Sequence, residues 1–275
     1  MQLNFDKYHG TGNDFVIVNF LKENKNILTK EEIIKICKRN FGIGADGILA
    51  LLPSEIADYK MRIFNPDGSE PEMCGNGIRC FVKYLDDNNL IKGETVDIET
   101  LAGVKSSTFY IENNKFLVEV SMGAALFTDE RLFKNINTNQ EISKGEKFTS
   151  VSMGNPHMII IKDEKITLDY LQNRGAELVN NEYFLNGTNV EFISIINNKE
   201  VDMMVYERGA GITLACGTGA CASVSALAKL GKTDFEKWIK VNLLGGSLDI
   251  MVKKNFSDVT LKGEAKFVFS GVIEL

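Results

Sequence analysis

The sequence predicts an α+β protein built from two related halves, and three observations carry that reading. Met73-Cys74-Gly75-Asn76-Gly77 and Ala215-Cys216-Gly217-Thr218-Gly219 are one glycine-rich phrase repeated 142 residues apart in a chain of 275. The same offset places Gly12-Asn13 on Gly154-Asn155, Met61 to Asn65 on Met203 to Glu207, and Val82 and Leu85 on Val224 and Leu227. Finally, segments of strand and helix periodicity follow one another in the same order in both halves. The length admits one large domain or two ordinary ones, and a register held across separated segments selects two. The boundary is expected near Ser121-Met122-Gly123.

The first half opens with a strand over Leu3 to Tyr8, a Gly/Asn turn and an apolar strand over Phe15 to Asn19. Thr29-Lys30-Glu31-Glu32 is a capping box, in which Thr and Glu satisfy each other's backbone N–H groups. The helix it starts carries Ile33, Ile36 and Cys37 at helical spacing and is expected to end near Asn40, before the Gly42/Gly44 loop. A strand over Lys60 to Phe64 leads into the turn Asn65-Pro66-Asp67-Gly68. Gly77 to Asp87 reads as a helix with Phe81, Val82 and Leu85 inward, followed by strands over Val96 to Glu99, Ser107 to Ile111 and Phe116 to Val120.

In the second half, strands are expected near Val151, over Met158 to Ile161, Val190 to Ile195 and Val201 to Tyr206. A short helix covers Leu168 to Asn173, a small-residue helix covers Thr218 to Leu230, and strands run from Ile239 onward.

Composition narrows the class. Hydrophobic content of 44% and charged content of 25% are globular values. A net charge of −6 without a Lys/Arg cluster argues against nucleic acid, and no apolar run is long enough for a membrane span. No signal peptide is visible, so the cytoplasm is the expected location. Five cysteines there are expected to be reduced. With no C-x-x-C pair and only His9 and His157, no metal site is expected.

The chemistry follows from where the two matched cysteines sit. Each stands where a strand and turn give way to a helix, whose N-terminus offers unpaired N–H groups and a partial positive charge. That environment is expected to lower a thiol pKa. The same N–H groups, on Gly75, Asn76, Gly217 and Thr218, can hold a carboxylate and stabilise charge developing on it. Two such termini facing one substrate, with a thiol on either side, is what a two-base racemase needs. Cys37, Cys80 and Cys221 lie inside helices on apolar faces and are read as core. His157, after Asn155-Pro156, is either a structural hydrogen-bond partner or a site residue.

With those residues in view, the chain resembles the diaminopimelate epimerase family over essentially its whole length. The resemblance rests on His9-Gly10-Thr11-Gly12-Asn13-Asp14-Phe15, Gly42-Ile43-Gly44-Ala45-Asp46-Gly47, Asn65-Pro66-Asp67-Gly68-Ser69-Glu70 and Cys74-Gly75-Asn76-Gly77. It continues through Gly154-Asn155-Pro156-His157, Thr188-Asn189-Val190-Glu191-Phe192, Tyr206-Glu207-Arg208-Gly209-Ala210-Gly211 and Ala215-Cys216-Gly217-Thr218-Gly219. Proline racemase relatives typically carry His where Asn76 stands, and phenazine-pathway relatives lack the cysteine pair.

The resemblance implies two pseudo-symmetric domains, each a β-barrel-like sheet around a central helix, with the active site in the interdomain cleft. The domains would be residues 1–121, joined by a C-terminal strand over 265–275, and residues 122–264. It implies that Cys74 and Cys216 are the acid/base pair and that no cofactor is needed. Asn13, Asn65, Asn155, His157, Asn189, Glu207 and Arg208 would bind substrate, with Arg208 on a second carboxylate and Glu207 accepting from a second ammonium. That selects diaminopimelate, interconverted between its L,L and meso forms, by an enzyme expected to be a homodimer. Two departures touch the pocket: Ile212 stands where the family usually has Glu, and Leu178 to Leu185 lacks the Glu-x-His and Phe-Pro pattern common there. Histidine and lanthionine are the alternative substrates. Hydroxyproline dehydration usually loses one cysteine, and a non-catalytic binding module gives no reason for two matched thiols.

Overall fold

The computed structural model describes residues 2–21, 28–134, 138–143 and 145–275. They form two units, residues 1–120 with 262–275 and residues 121–261. The first opens with β1 (Gln2–Gly10) and β2 (Asn13–Asn19), then α1 (Lys30–Cys37), β3 (Gly47–Leu52), β4 (Tyr59–Phe64) and α2 (Gly75–Asp87). It continues with β5 (Thr95–Thr100), β6 (Gly103–Glu112) and β7 (Lys115–Ser121). The second contains β8 (Gln140–Ser143), β9 (Glu146–Ser152), β10 (Pro156–Lys162), α3 (Leu168–Leu178), β11 (Asn189–Asn197), β12 (Glu200–Glu207) and β13 (Gly211–Ile212). There follow α4 (Gly217–Lys229), β14 (Ile239–Leu243), β15 (Gly246–Val252), β16 (Val259–Glu264) and β17 (Lys266–Glu274).

Strand register shows the duplication at the level of single residues. In the first unit β2 pairs parallel with β3, Phe15 opposite Gly47, and β3 pairs antiparallel with β4, Ile48 opposite Phe64. In the second, β10 pairs parallel with β11, His157 opposite Asn189, and β11 antiparallel with β12, Val190 opposite Tyr206. Each of these four positions lies 142 residues beyond its counterpart. β17 joins the first unit by antiparallel pairing with β1, Leu3 opposite Ile273.

A mixed sheet surrounds one helix in each unit. Ile78, Cys80, Phe81, Val82 and Leu85 of α2 are fully buried among β1, β2, β4 and β17. α4 is built of small residues, which lets Ala220, Cys221, Ala222, Val224 and Leu227 sit buried against β9, β10, β11 and β15. Burial pushes the Cys80 thiol up to about 12 and the Cys37 thiol up to about 11, which fits inert core sulfur. α1 starts on its capping box but stops at Cys37, short of the expected Asn40, because Lys38 is already extended. α3 runs on past Asn173 to Leu178, adding buried Gly175 and Leu178, and Gly175 is needed there because a Cβ would lie 2.5 Å from Tyr206. β3 and β8 were not singled out in the sequence. β3 is a continuous apolar run, buried from Gly47 to Leu51, which periodicity does not separate from a helix, and β8 is a four-residue polar strand.

Candidate active site

Each matched cysteine is the N-cap of its unit's central helix. Cys74 has extended backbone, φ −140° and ψ 117°, and Gly77 N–H donates to its sulfur at 3.4 Å. Cys216 has φ −120° and ψ 108° and makes no such cap bond. The two sulfurs therefore meet different surroundings.

At Cys74 the neighbour is an amide. A two-residue turn, with Thr11 at φ 56° and Gly12 at φ 82°, reverses β1 into β2 and sets Asn13 at the start of the strand. Asn13 Oδ1 accepts from Asn76 Nδ2 at 3.1 Å and from the Cys74 thiol at 3.9 Å. Its Nδ2 donates to Asp46 Oδ2 at 2.8 Å. Behind it, Arg39 bridges Asp14 and Asp46, and Lys7 lies 2.7 Å from Asp14. Burial alone would raise the Asp14 carboxyl, but Arg39 and Lys7 outweigh it and hold the carboxyl below its usual range. Arg79, fully buried on α2, ties Gly75 O and Thr11 Oγ1 together, each at 3.0 Å, and so fixes the helix start to the turn. Asn65 closes its own turn, donating to Ser69 Oγ at 3.0 Å.

At Cys216 the neighbours are ionisable. Glu207 stands beside the thiol, and its carboxylate accepts from Thr213 Oγ1. Thr218 Oγ1 lies 3.6 Å from the sulfur and accepts from Asn155 Nδ2 at 3.3 Å. Asn155 Oδ1 is 3.0 Å from His157 Nε2, and His157 Nδ1 is 2.7 Å from Glu191 Oε1. His157 and Glu191 are both 0% exposed. Burial raises the Glu191 and Glu207 carboxyls.

Here the expectation of a lowered thiol pKa is overturned. Cys216 is pushed well up, first by burial and then by charge on the Glu207 carboxyl. A helix terminus contributes about half a charge, and the help that Thr218 and the Gly219 N–H give the thiolate is smaller than the opposing effects. Desolvation and the neighbouring Glu207 carboxylate win.

The comparisons with known proteins agree along the chain. The family model for diaminopimelate epimerase matches residues 5–128 and 149–268. The chain belongs to the diaminopimelate epimerase family. A family member from Brachyspira hyodysenteriae is 42% identical over 287 residues, covering 100% of both chains. Another, from Halothermothrix orenii, is 44% identical over 286 residues, covering 99% of this chain and 98% of its own. Among solved structures, a phenazine biosynthesis protein of the PhzF family from Bacillus anthracis superposes with a TM-score of 0.76 at 19% identity, covering 100% of both chains. A probable proline racemase from Agrobacterium radiobacter gives 0.72 at 15% identity, covering 99% of this chain and 92% of its own. At such identities these two speak for the fold alone.

Within the second unit, the structure gathers Asn155, His157, Glu207 and Thr218 around Cys216. Asn189 stands one bond further out, donating to Pro156 O at 3.3 Å and accepting from Arg208 N–H at 2.9 Å. The Arg208 guanidinium is exposed and donates to Asn186 O at 3.0 Å. In the first unit, Asn13 and Asn76 meet Cys74, while Asn65 is engaged with Ser69. Three residues around the sulfurs were missed as site candidates: Glu191, Asp46 and Thr213. Glu191 carried a readable signal, a carboxylate inside the apolar run of β11, where a charge is buried only with a partner. Asp46 and Thr213 carried none, because loop polar residues are ordinary.

Proposed function

We propose that this chain interconverts L,L- and meso-diaminopimelate by moving a proton between two sulfurs and the substrate α-carbon. One sulfur, as thiolate, removes the α-proton from one face, and the other, as thiol, gives a proton to the opposite face. The C–H bond broken and the C–H bond formed leave the configuration inverted and the two sulfurs with exchanged protonation. The observation that supports this best is that both matched cysteines cap the N-terminus of a central helix. There the first-turn N–H groups of Gly75, Asn76, Gly217 and Thr218 suit a substrate carboxylate on which charge builds.

Glu207, beside the Cys216 thiol, is the group we assign to take its proton, so we place it on the sulfur rather than on a second ammonium. Arg208, exposed beside it, suits the second carboxylate of the substrate. The chemistry asks for no cofactor. A homodimer is the assembly we assign, and no described helix is long and apolar enough to cross a membrane.

The test is α-proton exchange with L,L-diaminopimelate in D₂O, for the wild type, Cys74→Ala and Cys216→Ala. A general acid or base contributes about 10²- to 10⁴-fold, so each variant should lose turnover on that scale while keeping its fold. Turnover near the wild-type rate in either variant would sink the two-thiol mechanism.

A further inference from the structure

In the second unit, three side chains link a fully buried carboxyl to the Cys216 sulfur, and their hydrogen-bond directions are fixed by the donors each owns. Asn155 spends its amide N–H on Thr218 Oγ1, so its oxygen faces the ring and His157 Nε2 carries the hydrogen between them. Thr218 Oγ1 accepts that N–H, which leaves its own hydrogen to donate to Cys216 Sγ at 3.6 Å. At the far end, Glu191 Oε1 lies 2.7 Å from His157 Nδ1, while Oε2 meets no hydrogen-bond partner among the described residues. An ionised carboxylate with one bare oxygen in a dry core is costly, and a protonated carboxyl is much less so. The raised Glu191 carboxyl agrees.

We propose that Glu191 is a positioning residue for proton transfer at Cys216. As a neutral acid donating to His157 Nδ1, it fixes the ring tautomer that orients the Asn155 amide, and this turns the Thr218 hydroxyl hydrogen onto the sulfur. That hydroxyl receives the thiolate left when Glu207 takes the proton. The proposal rests on the two-thiol reading for its reaction, and its test reads the sulfur directly.

The comparison between the halves supports a dedicated device. Phe15 and Leu49 stand at the positions matching His157 and Glu191, so the first unit has no such chain. Glycine also makes room for it: a Cβ on Gly219 would lie 2.5 Å from Glu191 Oε1 and 3.2 Å from Cys216 Sγ. His157 on β10, Glu191 on β11 and Glu207 on β12 are the ionisable groups around Cys216. On the other strands packed against α4, Glu146 of β9 is held by Lys162 and Arg174. Asp249 of β15 alternates with the buried Leu248 and Ile250 and so lies on the opposite face.

The experiment titrates the Cys216 thiolate by its ultraviolet absorbance, as the difference from a matched Cys216→Ser protein, in the wild type, Glu191→Leu and Glu191→Gln. Losing a hydrogen bond to a charged group corresponds to about one to two pH units. Glu191→Leu should therefore move the titration upward by that much and cut turnover about tenfold or more. Glu191→Gln, whose amide can still donate to Nδ1, should restore both.

A downward move in Glu191→Leu would mean that Glu191 is an anion repelling the thiolate, and would overturn the proposal. So would an unmoved titration, or Glu191→Gln behaving like Glu191→Leu. If Glu191→Leu does not fold, Thr218→Val removes the hydroxyl that donates to the sulfur and must raise the titration by itself; an unmoved titration there overturns the proposal as well. A wild type inactive on diaminopimelate would sink the substrate assignment and leave these titrations readable.

Discussion

The Glu207 carboxylate stands beside the Cys216 thiol, a pairing that the first half does not repeat, because Asn65 stands at the position matching Glu207. A fold built by duplication has thus become chemically unequal around its two sulfurs. Cys74 donates to an amide, whereas Cys216 is set against a base.

Glu207 must be ionised to accept the thiol's proton, and burial raises its pKa. Activity should therefore fall as pH drops through the Glu207 titration, at a pH above the ordinary glutamate value of about 4.3. Glu207→Gln keeps the size but loses most of the basicity, so it should lower kcat by about 10²-fold or more. The pH profile of kcat/KM checks both. An acid limb persisting unchanged in Glu207→Gln would assign it to another group.

The glycines that follow the two cysteines differ in what they make room for. A Cβ on Gly219 would strike the Glu191 carboxyl at 2.5 Å, inside a core with nowhere to move, whereas a Cβ on Gly77 would meet the end of Leu49 at 3.2 Å. Gly219→Ala should thus cost about 1–3 kcal/mol, the usual range for overpacking, and Gly77→Ala less. Urea unfolding of both variants measures the difference. Equal losses would mean that the Glu191 carboxyl yields as readily as a leucine methyl.

Much of this was legible in the sequence because it is periodic or repeated. The capping box at Thr29, the matched cysteines and the inward residues Phe81, Val82 and Leu85 each appear in the structure as local pattern requires. What pattern could not give was partnership across strands. Asn13 meets Asp46, and His157 meets Glu191, through the register of β2 with β3 and of β10 with β11, which no local spacing encodes. The thiol environment is not legible for the same reason: a helix start is visible in sequence, but the burial and the Glu207 carboxylate that oppose it at Cys216 come from neighbouring strands.

Asp14 links the Cys74 side to acid stability. Its carboxyl is held below the usual range by Arg39 and Lys7 against the effect of burial, so in the folded state it keeps its charge to lower pH than in the unfolded chain. The stability this contributes is fully present above the unfolded value of about 3.9 and is lost as pH falls through the lower folded value. Asp14→Asn should therefore unfold more readily at neutral pH and show a shallower loss of stability between about pH 4 and the folded value. Thermal melts across that range test it, and wild-type and variant curves that stay parallel would remove Asp14 as the cause.

Arg208 should decide which substrate is used. Its guanidinium is exposed, and its backbone N–H is fixed by Asn189 Oδ1 at 2.9 Å, so the side chain starts from a held position beside Glu207. One N–H donates to Asn186 O, and a guanidinium has five, which leaves a fork suited to a carboxylate. Diaminopimelate carries a second carboxylate at its distal end, L-lysine is the same skeleton without it, and L-histidine offers a neutral ring. A hydrogen-bonded charge pair contributes about 1.5–3 kcal/mol, or roughly 10- to 100-fold in affinity. L,L-diaminopimelate should therefore exceed both other amino acids in kcat/KM by at least that factor. Arg208→Ala should bring diaminopimelate down toward the lysine value and leave lysine itself unchanged. This double comparison separates a carboxylate partner from a brace, since a residue that merely supported the turn before Cys216 would weaken every substrate alike. Equal losses for diaminopimelate and lysine, or a wild type that prefers histidine, would leave the racemase chemistry standing and take the second carboxylate away from Arg208.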